Sequence, residues 1–158
     1  MTKYSSTVNA TSNTSINTED TFVEISVNNP KIYGVKVRLG DGTATAGVDN
    51  DYRVRVVRKT AGGATGTGGT AVRLDQVDQT TGATVTVKNG TAAFTTATLG
   101  DIIDTVVKNG RETYDFFYSN AIDYIRVHPT LASGGMFAVL IQSAVASQKF
   151  QVTVFWEE

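Results

Sequence analysis

Apolar side chains in this chain recur at every second position over short segments, and Gly, Asn and Asp clusters separate those segments, a pattern that predicts β-strands. The clearest pair lies between Lys31 and Thr60. In KIYGVKVRLG, Tyr33, Val35, Val37 and Leu39 share one face while Lys36 and Arg38 share the other. In DYRVRVVRKT, Tyr52, Val54 and Val56 share one face, Arg53 and Arg55 the other, and Lys59 continues the basic row. If these segments pair as neighbours, an apolar face turns inward and a basic stripe of Lys36, Arg38, Arg53 and Arg55 turns outward.

Alternation continues along the chain. Val23, Ile25 and Val27 point one way, with Phe22, Glu24 and Ser26 opposite, until Asn28, Asn29 and Pro30 end the segment. TAGGATGTGGT offers almost no side chain to pack and reads as a mobile loop tip; it lacks the Lys-Ser/Thr that a phosphate-binding loop requires. Val72 and Leu74, then Val85 and Val87, mark short strands, the second closed by Asn89-Gly90. Between Asp101 and Val107, Ile102, Ile103, Val106 and Val107 fit a short strand or a single helical turn, stopped by Asn109-Gly110. Tyr114, Phe116 and Tyr118 share a face opposite Phe117. MFAVLI, residues 136–141, is apolar on both sides and reads as a central strand covered twice. Phe150, Val152, Val154 and Trp156 alternate to the C-terminus, which therefore belongs inside a sheet.

Roughly eight to ten such strands predict an all-β protein, a jelly-roll-like antiparallel β-sandwich spanning residues 20–158. Residues 1–19 are mostly Ser, Thr and Asn with Val8 and Ile16 isolated. They form either a flexible N-terminal arm that pairs with a neighbouring subunit, or a frayed end or first strand of the same sheet. Phe22 and Phe155 fall on the outward side of their segments and are candidates for contact with another copy.

The length, 158 residues, suits one domain with its own core. There is no Cys, so neither disulfides nor thiolate metal sites contribute. A net charge of -1 gives no global attraction to nucleic acid or an anionic membrane. No segment has the length of a membrane span or of a secretory leader, so a soluble protein made in the cytoplasm is expected.

Candidate chemistry is sparse. His128, the single histidine, shares a strand face with Tyr124 and Arg126, and Ser133-Gly134-Gly135 reads as a turn rather than a nucleophile elbow. Asp41, Asp49, Asn50 and Asp51 form the densest oxygen-ligand group and could surround Ca²⁺, but their spacing is not that of an EF-hand and suits ordinary turn chemistry. Asp75, Asp78, Asp101 and Asp104 single out no catalytic pair. No enzyme activity, cofactor or metal is expected. The basic stripe is either a solvated sheet exterior or a contact for an acidic protein neighbour.

The run DYRVRVVRKTAGGATGTGGTAVRLD, a strand ending in Arg-Lys-Thr followed by a Gly/Thr loop and a re-entering strand, and the C-terminal KFQVTVFWEE resemble the small β-sandwich decoration (cement) proteins of tailed-phage heads. The likeness runs from Phe22 to the end. It implies a virion protein on the capsid exterior, often a homotrimer, that clamps neighbouring major capsid protein subunits and needs neither nucleic acid nor membrane. On that resemblance, the N-terminal arm with Lys36, Arg38, Arg53 and Arg55 would face the shell, and Phe22 and Phe155 would join copies. The alternative is a carbohydrate- or receptor-binding module of a phage fibre or tail, marked by a solvent-exposed aromatic platform.

Overall fold

The computed structural model describes residues 2–12, 15–26, 30–40, 50–62, 66–74, 83–89, 92, 94, 99–117, 125–126 and 135–158. Among these residues the regular elements are twelve strands: β1 (Lys3–Thr11), β2 (Glu19–Ser26), β3 (Lys31–Leu39), β4 (Asp51–Lys59), β5 (Thr67–Gly68), β6 (Val72–Arg73), β7 (Thr84–Val87), β8 (Leu99–Asn109), β9 (Tyr114–Phe117), β10 (Ile125–Arg126), β11 (Met136–Ser143) and β12 (Lys149–Glu157).

They form two antiparallel sheets. The first runs β10-β3-β12-β1-β6, with β9 also on β3, and the second runs β5-β7-β2-β11-β4-β8. The long strands β1 to β4 alternate between the sheets and meet the returning chain in reverse order, β1 with β12, β2 with β11, β3 with β9 and β4 with β8. Two further pairings, β12 with β3 and β11 with β4, close the wrapped ribbon. This is the jelly-roll topology of a β-sandwich.

The core lies between the sheets. Val35, Val37, Phe150, Val152, Val154 and Trp156 of the first meet Val23, Ile25, Tyr52, Val54, Val56, Phe137, Val139 and Ile141 of the second. The C-terminus is fastened as its alternation predicts. Thr2 and Glu158 exchange backbone hydrogen bonds at 3.0 and 3.1 Å, and the Glu158 Oε1 accepts from Trp156 Nε1 and from the Ala83 amide.

Several expectations change. Of the alternatives for residues 1–19, a first strand of the same sheet holds and a flexible arm does not: Lys3–Thr11 is β1, paired along its whole length with β12. Its inward face is Tyr4, Ser6, Val8 and Ala10, all nearly solvent-free. Small Ser and Ala at core positions gave that strand a weak hydrophobic signal, which is why the arm competed with it. Phe22, read as outward, is fully buried and packs edge-on against Phe150 at 5.8 Å. The pairing skips it, Val139 facing Val23 and Leu140 facing Thr21, so a bulge turns Phe22 inward beside Val23. A second bulge skips Tyr33, placing Ile32 in the core and Tyr33 outside. The Gly/Thr stretch is not only a loop tip, because Thr67 and Gly68 pair with β7. Residues 99–109 are strand throughout, ended by a turn at Gly110.

Candidate functional site

The basic stripe does not exist as one surface. β3 and β4 lie in different sheets, so Lys36 and Arg38 stand on one outer face of the sandwich and Arg53 and Arg55 on the opposite one. The reason is topological: consecutive long strands of a wrapped ribbon alternate between layers, whatever their own patterning.

On the outer face of the first sheet, register aligns the side chains in rows. Phe117, Gly34, Phe155 and Ser5 form one; Asp115, Lys36, Thr153 and Thr7 the next; Arg38, Gln151 and Asn9 the third. Phe155 is outward, as the alternation predicts, and its ring lies 5.5 Å from Phe117 and 6.2 Å from Tyr33. Lys3 Nζ lies 5.7 Å from the Tyr33 ring centroid. Lys36 pairs with Asp115 at 3.3 Å, the Thr7 and Thr153 hydroxyls are bonded at 2.9 Å, and Gln151 donates to Asn9 at 3.1 Å. The aromatic trio was invisible in sequence because it needed the Tyr33 bulge and the pairing of β9 with β3.

The outer face of the second sheet is largely covered. Val57, Ala138, Leu140 and Leu99 form a second, smaller apolar cluster there. Beside it Lys59, fully buried, pairs with Glu24 and donates to Thr21 Oγ1 at 3.3 Å. Phe94 closes over this group, its ring 5.8 Å from Lys59 Nζ. Gly66 lets the chain lie against Phe94, since a Cβ there would come within 2.7 Å of the ring. Towards the other end, Arg53 and Arg55 share one carboxylate, Glu19, at 3.3 and 3.1 Å. A second buried pair, Lys88 with Asp20 at 3.4 Å, flanks Phe22; burial pushes the Lys88 ammonium below its ordinary pKa and Asp20 pulls it back.

At the same end a shallow cleft of about 240 Å³ opens between Asp51, Arg53, Val107 and Gln142. Nearby, Tyr52 donates to the Glu112 carbonyl at 2.7 Å, and burial, then the Glu112 charge, pushes its phenol up to about 12. No three His, Asp or Glu side chains converge on a metal position among the described residues. His128, Ser133, Asp41 and Asp49 lie outside them.

The fold and these surfaces define a jelly-roll sandwich with a core packed between two sheets and, among the described residues, polar and aromatic groups displayed on its faces and edges. Compared with family models, with curated proteins and with solved structures, the chain matches none.

Proposed function

We propose that the chain is a structural virion protein that binds the outside of an icosahedral phage capsid as a homotrimer and bridges neighbouring major capsid protein subunits. The observation that carries this reading is the edge strand β8. It is 11 residues long and pairs with β4 along one edge, and among the described residues no strand pairs with its other edge. Ile102 and Val107 on it are 55% and 60% exposed. A long open edge with exposed aliphatics invites uncontrolled pairing unless another chain covers it.

Arg53 and Arg55 stand beside that edge, across the register from Val107 and Thr105. Sharing Glu19, they leave one net positive charge that selects an acidic neighbour, while the aliphatics supply the burial, about 1.5–3 kcal/mol for each side chain fully covered. A contact of this size is weak alone. Repeated over a trimer that touches several shell subunits at once, it becomes strong through effective concentration and holds the subunits together. No catalytic step enters this reading.

Sedimentation of the purified protein with expanded, undecorated heads of the phage that encodes it tests the reading. Saturable, stoichiometric co-sedimentation is expected, lost in Val107→Lys with the far-ultraviolet β-spectrum retained. Heads that take up no protein, or take up Val107→Lys equally well, would end it.

A further inference from the structure

The face opposite the covered one carries a different chemistry. Gly34 has no side chain, and a Cβ there would stand 2.4 Å from the Phe117 ring, so the ring occupies the space above the strand backbone. With Phe155 and Tyr33 this makes an aromatic floor, and Phe117 is 52% exposed on it. Around the floor the outward positions are Lys3, Lys31, Lys36, Arg38 and Lys149 against Asp115 and Glu157. Both acids are already taken, Asp115 by Lys36 at 3.3 Å and Glu157 by Lys31 at 3.7 Å. Counted over the described residues, the outward charges on this face are thus five basic against two acidic, on a chain whose net charge is -1.

We infer that this face is a binding site for an acidic glycan, a chain of pyranose rings bearing carboxylates. The negative π-face of an aromatic ring attracts the polarised C–H groups on the flat side of a pyranose. Phe117 and Asp115 are two residues apart on one strand face, about 6.6 Å at the usual strand rise, so a ring stacked on Phe117 reaches the next row. There Asp115 accepts from sugar hydroxyls and the Thr7 and Thr153 hydroxyls donate or accept. Arg38, exposed one row further on, takes the carboxylate of a flanking ring. Phe117 is exposed, and among the described residues no wall encloses the face, which suits a polymer lying across it instead of a single sugar held in a pocket. If many copies are displayed on a shell, weak binding per copy adds up to firm attachment, but the site itself belongs to the free protein and stands apart from the shell reading.

Titration of the free protein at low salt with tetragalacturonic acid, cellotetraose and tetraglutamate, followed by amide chemical shifts, tests the site. Tetragalacturonic acid is expected to shift residues of β3, β9 and β12 and to bind at least tenfold more tightly than either control. Phe117→Ala and Arg38→Gln should each weaken it at least tenfold, with Tm within a few degrees of the parent. Equal binding of tetraglutamate, or no loss in Phe117→Ala, would reduce the face to a diffuse charge and overturn the inference. So would equal binding of cellotetraose, no binding of any sugar, or a change of oligomeric state in Phe117→Ala, which would make the face a protein interface. Failure here leaves head binding through β8 intact, and failure of head binding leaves this titration unaffected.

Discussion

Leu140 on β11 and Thr153 on β12 occupy equivalent places, each pointing outward from a central strand of its own sheet, and they meet opposite surroundings. Leu140 is fully buried in the cluster with Val57, Ala138 and Leu99, while Thr153 stands half exposed in a ladder of polar groups with Thr7. Among the described residues one sheet is thus packed on both sides and the other on one. The covered face holds a buried ion pair, Lys59 with Glu24; the open face holds Lys36 with Asp115, both partly exposed to solvent. The same kind of ion pair consequently carries different weight on the two sides.

The largest effect is expected from breaking the pair on the covered face. Lys59→Met alone strands the Glu24 carboxylate without its partner and should cost about 3–5 kcal/mol in a urea melt, whereas Lys59→Met with Glu24→Leu should recover most of that loss. A small loss in the single variant would mean that water reaches the cluster.

Leu140→Ala should behave as a core truncation, losing about 2–5 kcal/mol, although it points away from the main core. Thr153→Ala at the equivalent place on the open face should lose within about 0.5 kcal/mol. Equal losses would erase the contrast between the faces.

Gly34→Ala places a methyl group against the Phe117 ring and should cost about 1–3 kcal/mol, relieved when Phe117→Ala is added. The double-variant cycle reads this coupling directly.

Tyr52 gives a pH signature. Its phenol is raised to about 12 in the fold, so its contribution to stability is complete below the ordinary value near 10 and is lost as the pH climbs through 12. Parent and Tyr52→Phe unfolding curves should therefore converge between about pH 10 and 12, and parallel curves would contradict the buried placement. The smallest effect is expected from Lys36→Ala, at most about 1 kcal/mol and diminishing in salt, because its pair is solvent-exposed.

Much of this contrast is visible along the chain. MFAVLI is apolar on both parities, and β11 is buried on both faces; β12 alternates strictly between residues 149 and 154, and only one of its faces is covered. The segments themselves follow from alternation and turn chemistry, as at Asn109-Gly110 after β8. The candidate surfaces were less legible. Lys36, Arg38 and Phe155 are outward as read, yet the partners that give them meaning come from β1, β9 and β12, distant in sequence. Phe22 and Tyr33 changed sides because a single extra residue in a strand reverses the facing of everything before it.

By itself the sequence determined that the chain is built of strands, where most of them begin and end, and that residues 136–141 are covered twice, because period-two patterning and turn residues are local properties. The tertiary structure decided which strands are neighbours, that the basic residues of β3 and β4 part to opposite faces, and that three aromatics meet over Gly34. Pairing partners and bulges depend on contacts between residues far apart in the chain, and no local pattern carries that information.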